Sequence, residues 1–192
     1  MSNFVHLHVH SQYSLLEATC RPKDLALKAA NYNMPAVALT DFGNMFGAIE
    51  FYFAAQEAGV KPIIGLEVYL APFGRSVKGG NIDGRKEPNR RLVLLAQNFK
   101  GYQNLCQIST IGYKEGFYYK PRVDYEVLKE FNSDIIALSG GLMGSVPWNF
   151  TNKGYEAAHE EAKKLKEIFP ERFYLEMCRT GLKEWNELNP FL

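Results

Sequence analysis

Three of the four histidines occupy alternate positions of one short segment near the N-terminus: His6, His8 and His10. Alternate residues of a β-strand project to the same face, so a strand over Phe4–Val9 predicts three imidazoles side by side. Imidazole is a common ligand of zinc, iron and manganese, whereas a buried imidazole in a core needs its own hydrogen-bond partner. We therefore favour a metal site over a solvated histidine face.

Carboxylates follow on the next two predicted strands. Asp41 comes directly after the apolar run Ala36–Leu39, and Glu67 lies within Pro62–Leu70. In parallel α/β architectures the carboxyl ends of the strands meet at one rim, where we also expect the histidines. Glu17, on the loop after the first strand, is a further candidate. Two histidines with two or three carboxylates suit Mn²⁺, Zn²⁺ or Fe²⁺, which could activate water for phosphoester hydrolysis.

The elements that must position these residues alternate between strands and helices, which predicts an α/β fold with a parallel sheet or barrel. Apolar spacing and helix punctuation predict three helices: Asp24–Asn31, Phe46–Ala58 and Tyr155–Phe169. Short β-rich runs predict six strands: Phe4–Val9, Ala36–Leu39, Pro62–Leu70, Leu92–Ala96, Asp134–Leu138 and Arg172–Glu176.

The composition is that of one globular domain. The 192 residues are 46% hydrophobic and carry a net charge of +1, which excludes disorder and argues against a surface dedicated to nucleic acid. Three cysteines without a C-x-x-C spacing indicate a reducing cytoplasm. We find no signal peptide or membrane span and expect no membrane partner.

One polar, basic stretch interrupts this pattern between Gly74 and Arg91. Its Arg85, Lys86 and Arg90 could contact phosphate. A solvated surface connection is the interpretation we favour, because no aromatic residue is interleaved for base stacking.

Several longer motifs resemble the PHP (polymerase and histidinol phosphatase) family, and in particular the N-terminal PHP domain of bacterial replicative DNA polymerases. They occur in family order over essentially the whole chain: His6–Leu16, Leu39–Gly47, Lys61–Glu67, Lys100–Leu105, Glu115–Tyr118 and Leu138–Gly141. The resemblance implies a distorted (β/α)7 barrel, with residues 1–192 as a single PHP domain truncated at its C-terminus to about six strands. The terminal residues 184–192 then read as a helix cut short, with Trp185 and Leu188 lacking a core to cover.

The resemblance also implies metal ligands. His8 and His10 match the family's H-x-H pair, Asp41 and Glu67 match two later acids, and Glu17 stands where the family usually has Asp. His6, just before the pair, is the weaker candidate. Together these residues suggest at most one weakly held divalent ion, Mn, Zn or Mg.

Three metal-ligand positions of the family are occupied here by residues that cannot bind a metal. Phe42 and Arg91 stand where metal-binding members have His, and Gly141 stands where many have Cys. A phenyl ring has no lone pair to donate, and Arg remains cationic. The resemblance therefore points to the subset of polymerase PHP domains whose metal site has eroded.

For that subset, the resemblance implies a structural module of a nucleotidyltransferase rather than a hydrolase. Its partners would be the rest of the polymerase alpha subunit and a proofreading exonuclease subunit, with DNA reached indirectly through the holoenzyme. The alternative is a metal-dependent 3′–5′ exonuclease or phosphoesterase. A separate small phosphatase akin to histidinol phosphatase is disfavoured by the polymerase-type segments.

Overall fold

The computed structural model describes residues 4–78, 81–82 and 85–192, without the side chains of 81–86. The described helices are α1 (Pro22–Asn31), α2 (Ala48–Glu57), α3 (Phe99–Lys114), α4 (Tyr125–Glu130), α5 (Ser145–Lys153), α6 (Tyr155–Ile168) and α7 (Lys183–Leu188). The described strands are β1 (Ala36–Leu39), β2 (Lys61–Leu70), β3 (Asn81–Ile82), β4 (Arg85–Lys86), β5 (Arg90–Ala96), β6 (Arg122–Val123), β7 (Ile135–Leu138) and β8 (Phe173–Tyr174). Within the described residues, no helix is long and apolar enough to cross a membrane.

Six strands form one mixed sheet in the order β1-β2-β5-β7-β8, and β6 pairs with the end of β2. The pairs β1–β2, β2–β6 and β7–β8 are parallel, whereas β5 runs antiparallel to both β2 and β7. The sheet is thus α/β as predicted but not uniformly parallel. The described residues between β2 and β5 contain no crossover helix, and antiparallel neighbours need none. In the described part of the chain, the strand pairing does not close into a full barrel.

The predicted N-terminal strand Phe4–Val9 is present as an extended segment and not as a regular strand. One bridge joins His6 to Val37 of β1. Farther along, the Thr40 hydroxyl accepts from the Val9 N–H at 3.0 Å and also donates to the Val9 carbonyl. The Thr40 N–H still donates to the Val9 carbonyl at 2.8 Å, but the Val9 N–H donates to a side chain and not to a backbone carbonyl. The ladder is therefore irregular between His8 and His10.

The other five predicted strands and all three predicted helices are present, with ends shifted by a few residues. Both faces of the sheet carry apolar clusters. On one face, Leu66 and Leu94 pack with α3, α4 and α6, and Val37 of β1 packs with α1 and α2. The opposite face carries a smaller cluster, made of Ala38, Val93, Leu95 and Leu138. These layers hold the strand ends rigidly, which fixes the side chains that emerge there.

The prediction for the C-terminal residues was wrong. Trp185 and Leu188 of α7 are only 6% and 3% exposed. The α7 helix folds back towards the 3₁₀ turn Gly141–Met143, where the Trp185 ring lies beside Gly141. The described chain therefore supplies the apolar surface that these side chains cover.

Candidate metal centre

His8, His10 and Glu67 converge on one point beside β2. The Nε2 atoms of both imidazoles lie 2.6 Å from Glu67 Oε2. The three ligand atoms lie within 4.8 Å of one another. Glu67 is 1% exposed, whereas the two histidines are partly open to solvent. The structure thus assembles two imidazole nitrogens and one carboxylate from the set predicted by the H-x-H spacing and the strand ends.

The backbone around Glu67 explains why it faces the histidines. The segment after β1 continues in the register that β1 and β2 share, so that Phe42 pairs with Glu67. The Glu67 N–H donates to the Asp41 carbonyl at 3.0 Å, and the Gly43 N–H donates to the Glu67 carbonyl at 2.8 Å. Glu67 is therefore locked between the segment after β1 and its partner β5.

Without a metal ion, His8 and Glu67 form an ion pair. Burial alone would lower the pKa of His8, but hydrogen bonds and charges from Glu176 and Glu67 raise that pKa to about 10. Burial alone would raise the pKa of Glu67, but the hydrogen bonds of His10 and His8 lower it. A metal ion at this site would have to displace the proton on His8.

Glu176, which follows β8, is a member of the site that the sequence reasoning missed. Its Oε1 accepts from His8 Nδ1 at 2.8 Å, while its Oε2 is buried and has no hydrogen-bond partner among the described residues. Its N–H donates to Ser139 Oγ at 2.8 Å, which fixes its position after β8. A carboxylate on the far nitrogen of a histidine is the arrangement that orients metal-binding imidazoles. Its place at the end of the predicted strand Arg172–Glu176 was the available signal.

Asp41 lies outside the convergent group. Its carboxylate accepts from the Ser11 N–H at 2.6 Å, from Ser11 Oγ at 2.7 Å and from Ser14 Oγ at 2.6 Å. The side chain is 2% exposed, and both oxygens are occupied by these donors. In this arrangement Asp41 holds the turn after the histidines and does not face Glu67.

Glu17 also lies apart from His8 and His10, because it is engaged by cations. Arg91 donates to Glu17 Oε2 at 3.1 Å, and Lys120 Nζ lies 3.8 Å from Glu17 Oε1. The Arg91 Nε atom lies 3.9 Å from Glu67 Oε1. One guanidinium thus lies between the two predicted carboxylate ligands and balances their charge.

Three positions where the family resemblance predicts a lost ligand lie around the site: Phe42, Arg91 and Gly141. The Phe42 ring stacks on His10 with centroids 4.0 Å apart, and the Arg91 guanidinium lies 4.2 Å from the Phe42 centroid. A Cβ at Gly141 would lie 4.0 Å from His8 Cε1, although the Gly141 φ of +62° disfavours a side chain. An aromatic ring and a fixed cation therefore occupy the side of the site next to His10.

The remaining predicted residues lie elsewhere. His6 is exposed and packs edge to face against Phe4. The side chains of Arg85 and Lys86 lie outside the described part of the structure, although their backbone forms β4. Arg90 is 4% exposed and binds Glu87, with its guanidinium stacked 3.2 Å from the centroid of the Trp148 ring.

A single divalent ion fits the donors present. Two imidazole nitrogens and a carboxylate oxygen, already within mutual reach, form a set that suits zinc or manganese, and Glu176 already orients His8. A second ion would need Asp41 and Glu17, which are held by serines and by Arg91. The geometry thus favours one ion at most among the described residues.

Comparison with known proteins agrees with this fold. The chain belongs to the PHP domain family, whose model matches residues 6–180.

Curated relatives that the chain matches are much longer than the chain itself. The chain is 42% identical over 188 residues to the DNA polymerase III subunit alpha of Borreliella burgdorferi, covering 98% of this chain and 16% of the relative. It is 40% identical over 190 residues to the same subunit of Aquifex aeolicus, and this match covers 97% of this chain and 16% of the relative. The identity to the Thermus aquaticus subunit is 42% over 193 residues, and the match covers 98% of this chain and 16% of the relative. The chain therefore spans about one sixth of the length of these relatives.

Among solved structures, the chain is similar to a protein from Bifidobacterium adolescentis provisionally assigned as a metal-dependent phosphoesterase. The TM-score is 0.56 at 11% identity, and the match covers 100% of this chain and 83% of the other. This similarity supports the fold alone.

Proposed function

We propose that this chain is the PHP module of the alpha subunit of a bacterial DNA polymerase III and serves DNA replication in the cytoplasm. The observation that carries the proposal is the 40–42% identity to three such subunits over nearly the whole chain. Nucleotide addition belongs to other parts of that subunit. Within it, the module acts as a structural platform that supports the rest of the alpha subunit and docks the proofreading exonuclease subunit, with DNA contacted through the holoenzyme.

The metal site of this platform is degenerate. Arg91 supports this view, because its guanidinium already supplies positive charge to Glu17 and Glu67. Phe42 fills the neighbouring space against His10. Together they stabilise the carboxylates without an ion, so the fold does not depend on bound metal.

The test uses the full-length alpha subunit with and without this region. Deletion of residues 1–192 should lower the thermal stability of the remaining subunit and abolish its co-purification with the exonuclease subunit. Retention of both properties after deletion would contradict the platform role. The double substitution His8→Gln/His10→Gln is the matched control, since it removes the imidazoles and leaves the surface intact. It should keep the partner bound.

A metal-dependent 3′–5′ exonuclease or phosphoesterase is the second candidate, favoured by the His8, His10 and Glu67 cluster. An ion held by these residues would supply a Lewis acid and an activated water for phosphoester hydrolysis. The chain itself would orient the ligands: Glu176 fixes the His8 ring, and β2 holds Glu67 in place.

The two candidates differ in their response to manganese. Under the platform proposal, the purified chain contains less than stoichiometric metal and releases no nucleotides from a DNA 3′ end. Manganese-dependent release that is lost in both His10→Ala and Glu67→Gln, with an unchanged circular dichroism spectrum, would establish the hydrolase instead. His6→Ala is the control, since His6 lies outside the cluster and should not alter any such activity.

A further inference from the structure

A second polar cavity lies across β5 from the candidate metal centre. Successive residues of a strand face opposite sides, so Arg91 reaches Glu67 while its neighbour Arg90 turns into this cavity. The cavity has a volume of about 140 Å³, which is larger than one water molecule needs. Its walls come from the end of β2, from β5 and from α4, α5 and α6, and they are mostly polar.

The N-terminus of α5 forms part of the wall. This nine-residue helix begins at Ser145, and the preceding Gly144 offers no side chain to cap it. The positive end of a helix dipole favours an anion at that position. Ser145 also presents a hydroxyl to the cavity that is 1% exposed and makes no hydrogen bond of good geometry in the described part of the chain, although it lies near enough to the Tyr125 hydroxyl to lower the pKa of that phenol. A buried hydroxyl without a well-formed hydrogen bond is costly and leaves a donor for a ligand.

Three cations line the same space. Arg90 uses two of its five N–H groups, one on Glu87 and one on the Pro88 carbonyl, which leaves further donors. Lys153 lies 2.8 Å from Glu87. Lys164 lies over the Tyr125 ring, 3.1 Å from its centroid, and forms no ion pair with a carboxylate of the described residues. Of the three cations, its ammonium group is the one without a paired carboxylate; burial lowers its pKa, and the charge of the neighbouring Glu161 opposes that shift.

The two carboxylates of the wall are already engaged. Glu87 is bound by Arg90 and Lys153, and Glu161 accepts the hydroxyl proton of Tyr125. Burial and Glu161 raise the pKa of the Tyr125 phenol, against smaller opposing contributions from Ser145 and Arg90. Tyr125 is therefore neutral near pH 7. Three cations against two paired carboxylates leave one positive charge beside the helix N-terminus.

We propose that this cavity binds a phosphate-type oxyanion, either inorganic phosphate or the terminal phosphate of a nucleotide. The Ser145 hydroxyl and the Lys164 ammonium donate to it, and the unused N–H groups of Arg90 complete the binding site. The site is independent of the metal centre and of any hydrolysis there. It gives Arg90 a phosphate contact inside a cavity instead of on a surface loop.

Calorimetric titration of the 192-residue chain at constant ionic strength tests the proposal, with inorganic phosphate, dAMP and deoxyadenosine as separate titrants. Phosphate should bind to one site and deoxyadenosine should not bind. Tighter binding of dAMP than of phosphate identifies a nucleotide phosphate as the ligand, and the reverse order identifies the free ion. Absence of saturable phosphate and dAMP binding into the tens of millimolar range overturns the proposal.

Substitutions locate the site. Ser145→Ala and Lys164→Gln should each weaken binding about tenfold, the effect of losing one hydrogen bond to a charged group. Lys163→Gln, the exposed neighbour on α6, is the charge-matched control and should change the affinity by less than about twofold. Equal losses in Lys163→Gln and Lys164→Gln would mean nonspecific charge attraction and would overturn the proposal. His10→Ala should leave phosphate binding unchanged, which separates this site from the metal centre.

Discussion

At the scale of single residues, charge balance decides what the cluster of His8, His10 and Glu67 can do. Two imidazoles meet one buried carboxylate, and Arg91 brings a fixed positive charge to its other oxygen. A cation that is part of the chain competes with any cation from solution. The chemistry of the site is therefore set as much by Arg91 as by the histidines.

Removal of that charge should improve metal binding. We expect Arg91→Gln to raise the affinity for Zn²⁺ or Mn²⁺ by about tenfold or more, because Glu17 and Glu67 lose their internal counter-ion. Isothermal titration calorimetry with each metal measures the change. Arg21→Gln, an equal change of charge at an exposed position, is the control and should leave the affinity unaltered. An unchanged affinity in Arg91→Gln would show that the guanidinium does not compete with metal.

Asp41 should behave as a structural residue. We expect Asp41→Asn to lower the free energy of unfolding by about 2–3 kcal/mol, since an amide cannot accept from all three donors of Ser11 and Ser14. Urea denaturation monitored by circular dichroism measures it, with the exposed Asp24→Asn as the control. A stability loss that appears only when metal is added would instead make Asp41 a ligand.

At the scale of elements, the turn after β1 aligns the site. Asp41, Phe42 and Gly43 continue the pairing of β1 with β2, and this brings Phe42 alongside Glu67. Gly43 has a φ of +65°, and a Cβ there would lie 2.6 Å from Pro121 Cγ. Both the backbone conformation and the neighbouring proline thus require glycine.

Comparison of Gly43→Ala with Gly59→Ala separates the cost of the backbone conformation from the cost of the contact with Pro121. Gly59 has a similar φ of +70° but nothing within 4 Å of an added Cβ, so Gly59→Ala measures the backbone cost alone. We expect about 1 kcal/mol for Gly59→Ala and about 2–4 kcal/mol for Gly43→Ala, in which the contact with Pro121 adds to the strain. Chemical denaturation of both variants checks this. Equal losses would mean that Pro121 moves aside freely.

At the scale of the whole molecule, the site is closed by parts of the chain that are remote in sequence. Glu176 binds His8 across 168 positions, and Trp185 of α7 packs beside Gly141. The C-terminal residues therefore complete both the core and the surroundings of His8.

Removal of the buried Trp185 side chain should lower the folding stability of the chain. We expect Trp185→Ala to cost about 3 kcal/mol of folding stability through the cavity it leaves. Thermal and urea unfolding measure the loss. Leu182→Ala, at a position 52% exposed just before α7, should have little effect. Equal stability of Trp185→Ala and the unsubstituted chain would mean that α7 is not anchored by this side chain.

The amino-acid sequence by itself determined most of the elements and three of the convergent site residues. Alternation placed His8 and His10 on one face, and the apolar run around Glu67 predicted its strand. These signals are local, because strand and helix periodicity are properties of neighbouring residues. The prediction of a regular first strand was wrong, since the Val9 N–H donates to the Thr40 side chain and not to a backbone carbonyl.

Only the tertiary structure decided which carboxylates face the histidines. Glu17 and Asp41 are carboxylates at plausible positions for metal ligands. Arg91 binds Glu17, however, and Ser11 and Ser14 donate hydrogen bonds to Asp41. No sequence motif pointed to Glu176, because it lies 168 positions from His8 in the chain. The physical reason is that a hydrogen bond or ion pair depends on distances of a few ångströms in space, and packing sets those distances between segments far apart in the chain.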